Sequence, residues 1–324
     1  MEENNQERIA LADFSERISQ LRDSVSKVIV GQQETVDLVL TAIVAGGHVL
    51  IEGVPGVAKT LLARLLAHLI DCDFSRIQFT PDLMPSDILG TTVFNMKTQE
   101  FDFHPGPVFS EIVLVDEINR APAKTQAALF EVMEERQVTV DGVTHRMGDI
   151  YTILATQNPV EQEGTYKLPE AQTDRFLMKI TMGYPTIDEE VSILERHHAN
   201  RQFISLADVQ PVLTRQQLAD FRGLLGQVFV EPSLLRYIAD IVQQTRQSKV
   251  VFLGASPRAA VAMLNASKAY ALLQGRDFVT PDDIQFVTPS ILQHRLILTA
   301  EAEMEGHTPI KVARRLMDRV EVPK

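Results

Sequence analysis

The segment Gly53–Thr60 carries the strongest chemical signal in this chain of 324 residues. It reads Gly-Val-Pro-Gly-Val-Ala-Lys-Thr, between a predicted buried strand at 48–52 and a predicted helix at 59–70. A glycine-rich turn between a strand and a helix N-terminus cradles the phosphates of a nucleotide through its backbone N–H groups. In such a loop, Lys59 would bind the β- and γ-phosphates, and the Thr60 hydroxyl would ligate Mg²⁺.

One position of this loop departs from the usual pattern, because Ala58 stands where a glycine commonly precedes the lysine. If the loop requires a positive φ there, alanine costs about 1–2 kcal/mol. The alternative is a chance glycine turn before a core helix. The strand, turn and helix follow one another in the required order, so we keep the phosphate-binding interpretation.

Two carboxylates, Asp116 and Glu117, follow a run of apolar residues at 112–115. The run predicts a buried parallel strand that delivers both acids to the carboxyl edge of a sheet. Asp116 would hold Mg²⁺ through its waters, and Glu117 would orient and deprotonate the attacking water. Strands often end in solvated acids, so the pair is a strong signal only together with the upstream loop.

Three further polar residues could complete a site for phosphate chemistry. Asn158 follows a predicted strand at 151–155, so its amide could hold water against a γ-phosphate, although Asn158-Pro159 could also simply begin a turn. Arg175 and Arg258 lie at a helix end and in the first turn of a helix. Each could be a surface arginine paired with an acid. An arginine supplied to a neighbouring subunit is instead worth about 10³–10⁵ in rate.

The order of elements predicts an α/β domain with a parallel sheet covered on both faces, because strands alternate with helices. Two segments, 91–103 and 137–146, are predicted to form hairpins, and the second contains Asp141-Gly142. Helices are expected at 215–229, 232–248, 257–274 and 281–299. We expect an N-terminal helix at 1–27, a nucleotide-binding core at 28–184, a linker at 185–211 and an all-helical second domain at 212–324, with a separate core in each domain.

The composition narrows the class of protein. Hydrophobic residues make up 45% and charged residues 23%, which is typical of a globular protein. The net charge of −12 argues against a large nucleic-acid surface. A single cysteine, Cys72, excludes an intramolecular disulfide, and the N-terminus lacks the pattern of a secretion signal. The longest apolar run is shorter than the roughly 20 residues that cross a bilayer. We therefore expect a cytoplasmic protein without a membrane segment.

Together these segments resemble the MoxR family of AAA+ ATPases from about residue 20 to the C-terminus. The motifs that carry the resemblance are Gly53–Thr60, Phe79–Gly90, Asp116–Pro122, Ala155–Pro159, Leu168–Phe176 and Gly254–Ala259. Alanine at position 58 is also what this family shows. The resemblance implies a P-loop αβα sandwich followed by a smaller helical lid domain.

The resemblance also implies residue roles, with ATP and Mg²⁺ as cofactors. Nucleotide contacts are expected from Val30, Gly31, Gly53, Val54, Pro55, Gly56, Val57, Ala58, Lys59 and Thr60, the segment 28–32 lying against the adenine. Asn158 matches the position called sensor 1. Arg258 matches sensor 2, which touches the γ-phosphate from the lid of the same subunit. Arg175 matches the arginine finger that reaches a neighbour's nucleotide, and Arg120 is a rival for a role at the subunit interface.

The activity that the resemblance implies is ATP hydrolysis by a hexameric ring that remodels a client protein. Such rings often work with a partner that contains a von Willebrand factor A domain. A nucleic-acid-dependent motor is an alternative, motivated by the hairpin at 137–146, although the net charge argues against a nucleic-acid partner. A nucleotide switch with little turnover and a small-molecule kinase are further alternatives, but a kinase has no evident use for a helical second domain.

Overall fold

The computed structural model describes residues 2–159, 166, 168–199 and 206–323. Its elements, in chain order, are α1 (Glu2–Val28), α2 (Gln33–Val44), β1 (Val49–Gly53), α3 (Lys59–Leu69), β2 (Phe74–Gln78), α4 (Pro85–Leu89), β3 (Gly90–Asn95), β4 (Glu100–Pro105), β5 (Ile112–Asp116), α5 (Ala123–Glu135), β6 (Gln137–Val140), β7 (Val143–Arg146), β8 (Thr152–Gln157), α6 (Glu170–Thr173), β9 (Met178–Met182), α7 (Ile187–Ala199), α8 (Arg215–Leu224), α9 (Pro232–Gln247), β10 (Val251–Leu253), α10 (Pro257–Leu273), α11 (Pro281–Leu292), β11 (Ile297–Leu298), α12 (Ala300–Met304) and α13 (Pro309–Met317). None of the helices within the described ranges has the length and apolar character that a bilayer crossing requires.

The central sheet has five strands in the order β2-β5-β8-β1-β9, and every neighbouring pair is parallel. This confirms the predicted α/β class. The edge strand β9 is not among the predicted strands. Its residues alternate between buried and partly exposed positions, as in Met178, Lys179 and Ile180, so its sequence lacks the continuous apolar run of the central strands.

The buried side chains of the sheet divide between its two faces. On β1, Val49 and Ile51 belong to one hydrophobic cluster, and Leu50 belongs to the cluster on the opposite face. The first cluster continues through α1, α2 and α3 into the lid, where it includes Tyr237 and Ile291. The lid helices and one sheet face therefore share one core, rather than the two separate cores expected from the sequence.

The segments after the sheet differ in two ways from the predicted ones. The segment 185–211, expected to be a linker, contains the helix α7, and its residues 200–205 lie outside the described ranges. The second domain is not all-helical, because β10 pairs with β11 in an antiparallel arrangement. The helix predicted over 281–299 accordingly ends at Leu292, and the chain beyond it turns into this short sheet.

Both predicted hairpins are present, as the antiparallel pairs β3–β4 and β6–β7. Asp141 and Gly142, which join β6 to β7, have φ angles of +50° and +79°, as a tight hairpin turn requires. Phe103 of β4 stacks on His145 of β7 with ring centroids 4.0 Å apart. The two insertions are therefore packed together at one side of the core.

Candidate active site

The phosphate-binding loop spans the gap between the end of β1 at Gly53 and the start of α3 at Lys59. A Cβ atom at Gly53 would lie only 2.8 Å from the carbonyl oxygen of Met182 on the neighbouring strand β9, so the strand pair leaves no room for a side chain. Gly56 has φ +88°, and Ala58 has φ +63°. Ala58 therefore adopts the left-handed conformation for which glycine is commonly used, and the strain considered above applies.

The ammonium of Lys59 is held by the loop itself. Its Nζ donates to the carbonyl oxygens of Gly53 and, at 3.3 Å, of Val54. Burial lowers the pKa of the Lys59 ammonium, and the carboxylates of Asp116 and Glu117 oppose that shift. These neutral carbonyl acceptors are weaker partners for an ammonium than the charged oxygens of a phosphate would be.

The loop opens into a cavity of about 400 Å³. Its lining residues are Pro55, Gly56, Ala58, Lys59, Thr60, Leu61, Arg76, Gln78, Asp116, Glu117, Thr156 and Asn158. The N-cap position of α3 provides no side-chain hydrogen bond to the first turn, so this helix end offers N–H donors to an anion. The basic, hydroxyl and carboxylate groups of this cavity together fit the phosphates of a nucleoside triphosphate and a bound Mg²⁺ ion.

Asp116 lies at the carboxyl end of β5 and is nearly buried. Its Oδ2 accepts a hydrogen bond from Nε of Arg76 at 2.6 Å, and its Oδ1 accepts one from Oγ1 of Thr156 at 3.0 Å. The same Thr156 oxygen accepts the backbone N–H of Glu117 at 3.0 Å. Thr156 thereby ties the ends of β5 and β8 together and fixes the carboxylate of Asp116.

The neighbouring carboxylate, Glu117, sits on a strained backbone with φ +56° and ψ +50°. Its Oε2 accepts from Nε2 of Gln78 at 2.8 Å and faces Nη1 of Arg120 at 3.2 Å. Two donors therefore orient the side chain that was predicted to be the general base. Arg120, considered above for a subunit-interface role, contacts the glutamate of its own subunit.

Four lining residues were not identified as site residues from the sequence: Leu61, Arg76, Gln78 and Thr156. Arg76 and Gln78 lie on β2 at positions two apart, so they point to the same side of the strand, and Nη2 of Arg76 donates to Oε1 of Gln78 at 3.2 Å. Gln78 stands opposite Asp116 in the strand register. The polar residues Arg76 and Gln78, two positions apart on a strand that pairs with the strand at 112–115, are the signal that could have identified them.

A second cavity, of about 760 Å³, adjoins the loop and suits the nucleoside part of a nucleotide. It shares part of its lining with the first cavity and is bounded by Lys27, Val28, Ile29, Val30, Gln32, Gly56, Val57, Ala58, Leu61, Pro185, Ile193, Arg196 and His197. The predicted residues Val30 and Val57 therefore line it, whereas Gly31 does not. A Cβ atom at Gly31 would lie 2.1 Å from Oε1 of Glu189, so this glycine lets α7 approach.

One wall of this second cavity comes from α7, which the sequence analysis had placed in a linker. Nη1 of Arg196 donates to the carbonyl oxygens of Ser26 and Lys27 at 2.9 and 3.1 Å. Arg196 therefore fastens α7 to the end of α1. The apolar side chain of Ile193 and the ring of His197 face the cavity because of this attachment.

Arg175 lies at the opposite edge of the sheet, directly before β9. Two residues later, the N–H of Leu177 donates to the carbonyl oxygen of His48 at 2.8 Å, next to the amino end of β1. The phosphate-binding loop follows the other end of this strand, roughly 16 Å away at 3.3 Å per residue. Nη2 of Arg175 pairs with Oε2 of Glu134 at 2.9 Å, and Nη1 donates to the carbonyl oxygen of Phe130.

Arg258 joins Arg175 at this edge. Its Nη2 pairs with Oε1 of Glu134 at 3.0 Å, and its Nη1 lies 3.8 Å from Oδ2 of Asp174. Neither arginine belongs to the residues that line the two cavities. In this structure the guanidinium of Arg258 therefore contacts carboxylates at the amino edge, and its predicted contact with a γ-phosphate stays a prediction.

Comparisons with known proteins agree with this geometry. The family described as "ATPase family associated with various cellular activities (AAA)" matches residues 48–178, and the AAA lid domain matches residues 243–316. The chaperone MoxR1 of Mycobacterium tuberculosis is 42% identical over 93% of this chain and 81% of that protein. The chain belongs to the MoxR family of AAA+ ATPases.

Two further similarities extend over nearly the whole chain. The protein YeaC of Bacillus subtilis is 48% identical over 93% of both chains. A crystal structure of a protein described as an ATPase, from Cytophaga hutchinsonii, superposes with a TM-score of 0.91 at 40% identity and covers 100% of both chains. The resemblance inferred from the sequence motifs is therefore confirmed, and this MoxR-family protein is an ATPase.

Proposed function

We propose that this MoxR-family ATPase hydrolyses ATP at sites completed between neighbouring subunits. Within one subunit, the Gly53–Thr60 loop and Lys59 hold the phosphates, and the second cavity takes the adenine and ribose. Thr60 would ligate Mg²⁺ and Asp116 would hold the ion through its waters, and the ion would neutralise charge on the β- and γ-phosphates. Arg76, which pairs with Asp116 in this structure, must share or yield that carboxylate when the ion binds.

Glu117 acts as the general base in this proposal. It takes a proton from a water molecule that Asn158 helps to hold against the γ-phosphate. The water oxygen forms a bond to the γ-phosphorus while the bond to the β–γ bridging oxygen breaks, giving ADP and inorganic phosphate. The hydrogen bond from Gln78 and the ion pair with Arg120 support this role, because both involve the same carboxylate oxygen, Oε2, and leave Oε1 for the water.

The position of Arg175 and Arg258 is the observation that carries the proposal of shared sites. Both guanidinium groups lie at the amino edge of the sheet, with a strand length between them and the loop of their own subunit. A head-to-tail ring would bring this edge of one subunit toward the nucleotide of the next. Arg175 then stabilises the charge of the transition state in trans, and Arg258 supports it.

Mixing two inactive variants tests this proposal. Arg175→Ala keeps its own base, and Glu117→Gln keeps its own arginines, so interfaces that combine the two regain a complete site. We expect each variant alone to release phosphate at background rate and the mixture to recover activity. A mixture as inactive as its components would overturn the shared site. Arg236→Ala is the matched control for the loss of an arginine. In the described contacts, this exposed lid arginine pairs only locally, with Asp240.

We further propose that the ring is a cytoplasmic hexamer that remodels a client protein, together with a partner that contains a von Willebrand factor A domain. The name of the M. tuberculosis relative, chaperone MoxR1, supports a remodelling role. The hairpin β3–β4 supports a contact with unfolded chain, because it exposes the apolar side chains of Phe94, Met96 and Phe101.

A permanently unfolded model protein, reduced and carboxymethylated, serves as the probe for client binding. We expect it to stimulate phosphate release by the wild type and to stimulate the double variant Met96→Ser/Phe101→Ser less, with equal basal rates. Equal stimulation of both proteins would contradict a client contact at this hairpin. Stimulation by DNA alone, with a steep dependence on salt, would favour the nucleic-acid motor instead.

A further inference from the structure

Three consecutive lid residues, Gln293, His294 and Arg295, contact the chain around Arg175. They follow α11 directly, and all three side chains face the entry to β9. Nε2 of Gln293 donates to the carbonyl oxygen of Lys179, and Nε2 of His294 lies 3.1 Å from the carbonyl oxygen of Phe176. The lid is therefore fastened to the segment that carries the proposed arginine finger.

Arg295 makes the most extensive of these contacts. Its Nε donates to Oδ1 of Asp174 at 2.6 Å, and its Nη2 donates to the carbonyl oxygens of Asp174 and Phe176 at 3.1 and 2.7 Å. Nη1 donates to the carbonyl oxygens of Leu177 and Ile291 at 3.1 and 2.7 Å. Only 3% of the side chain is exposed. A rigid guanidinium fork with this many acceptors admits one arrangement of the backbone around it.

The carboxylate of Asp174 connects this buried arginine to the two arginines at the amino edge. One of its oxygens accepts from Arg295, and the other lies 3.8 Å from Nη1 of Arg258. Arg175 follows Asp174 in the chain, and Glu134 pairs with both Arg175 and Arg258. Arg295 thus contacts the residues on both sides of Arg175 without contacting its guanidinium.

We propose that Arg295 is a positioning residue for catalysis, which fixes Arg175 and Arg258 for use by the neighbouring subunit. Because Arg295 belongs to the lid, the orientation of the lid sets the aim of the finger. This inference rests on the shared site described above. A displacement of about 1 Å in a catalytic group can cost on the order of 10²-fold in rate, so a loosened turn would impair the neighbour's site.

The substitution Arg295→Lys tests this role, because lysine keeps the charge but loses the planar fork. We expect phosphate release at saturating ATP to fall about 10–100-fold, while the affinity for a fluorescent ATP analogue in the variant's own site stays unchanged. Mixing Arg295→Lys with Glu117→Gln should restore activity, because Glu117→Gln subunits supply intact arginines. An undiminished rate in Arg295→Lys alone would overturn the proposal.

Two further variants separate positioning from folding. Asp174→Asn removes the charge that Arg295 and Arg258 share, and it should give the same loss and the same rescue even if Arg295→Lys does not fold. Arg222→Lys is the matched control: Arg222 also joins the lid to the core, through the carbonyl oxygens of Ile43 and Asp149, but its hydrogen bonds in the described part of the chain do not include residues 174–177. It should lower thermal stability while phosphate release per folded subunit stays normal.

The mixture of Arg175→Ala with Glu117→Gln runs in parallel and reports on the shared site itself. If it recovers activity and the Arg295→Lys and Asp174→Asn mixtures do so too, Arg295 acts through the arginines it positions. If it recovers and those two mixtures do not, Arg295 acts within its own subunit and the proposal fails. If it does not recover, the shared site fails, and the positioning role falls with it. An equal, rescuable loss in Arg222→Lys would also overturn a specific role for Arg295.

Discussion

The two edges of the sheet are built in different ways. At the carboxyl edge, Lys59, Asp116 and Glu117 line an open cavity, and their present partners are loop carbonyls or side chains that ligands could displace. At the amino edge, Arg175 and Arg258 are held by Glu134 and by a turn that the buried Arg295 secures. One edge is arranged to receive a ligand, and the other is arranged to present two cations in a fixed geometry.

Because of this difference, a single subunit lacks part of the machinery that the proposed reaction needs. A base, a phosphate loop and metal ligands lie together, but the cations that would stabilise the transition state lie a strand length away.

Removing the cation presented by the amino edge should have the largest effect. We expect Arg175→Ala to lower the rate of phosphate release about 10³–10⁵-fold, because a trans arginine stabilises charge only in the transition state. Nucleotide affinity, measured with a fluorescent ATP analogue, should change little. A loss of affinity with an unchanged maximal rate would instead assign Arg175 to ground-state binding.

Removing the base at the carboxyl edge should have the next largest effect. We expect Glu117→Gln to lower the maximal rate about 10²–10⁴-fold while the protein still binds ATP, since glutamine keeps the shape of the side chain but accepts no proton. Quenched-flow measurement of bound ATP and ADP distinguishes blocked chemistry from blocked binding. Normal turnover in this variant would contradict the mechanism.

His48 provides a prediction for the stability of the amino edge. Its Nδ1 accepts the N–H of Ile153 at 3.0 Å and its Nε2 lies 3.1 Å from the carbonyl oxygen of Met133, which fits a neutral ring. Burial lowers the pKa of His48 from 6.5 to about 4. Below pH 6.5 the unfolded chain therefore takes up a proton that the folded protein does not, so stability falls as the pH drops toward 4.

The expected loss is about 3 kcal/mol in the free energy of unfolding between these two pH values. Urea unfolding at several pH values measures it, and His48→Gln, which has no titrating ring, should show a flatter dependence. Parallel curves for the two proteins would exclude His48 as the cause.

The smallest expected effect concerns the backbone of the phosphate loop. Ala58→Gly relieves a left-handed conformation that costs about 1–2 kcal/mol, and glycine gives back about 0.4–1 kcal/mol through the greater entropy of its unfolded chain. We expect a net stabilisation of up to about 1.6 kcal/mol by urea unfolding. Ala127→Gly, at an exposed position within α5, should destabilise by a similar amount. Equal signs for the two variants would contradict the assigned strain.

The sequence predicted those features whose signal is local. The P-loop, the acids after β5 and both hairpins each depend on a short run of residue types, so the fold class and most of the carboxyl-edge site could be predicted. The expected roles of Asn158 and Arg175 stay predictions, because they depend on a bound nucleotide and a neighbouring subunit.

The features that sequence reasoning missed depend on contacts between distant segments. In the sequence, Arg76 and Gln78 are ordinary residues of a strand. Their place in the site depends on the pairing of β2 with β5. α7 was assigned to a linker because its role as a cavity wall requires the contact between Arg196 and the end of α1. The pairing of Arg258 with Glu134 could not be predicted because the two residues lie far apart in the chain.

The dependence of specific activity on protein concentration tests the shared site most directly. Phosphate release per subunit is measured across dilutions at saturating ATP, with Lys59→Ala as the background and with sedimentation to report assembly at each dilution. We expect specific activity to rise steeply with concentration and to saturate as assembly completes. Constant specific activity at dilutions where sedimentation finds only monomers would contradict the shared site.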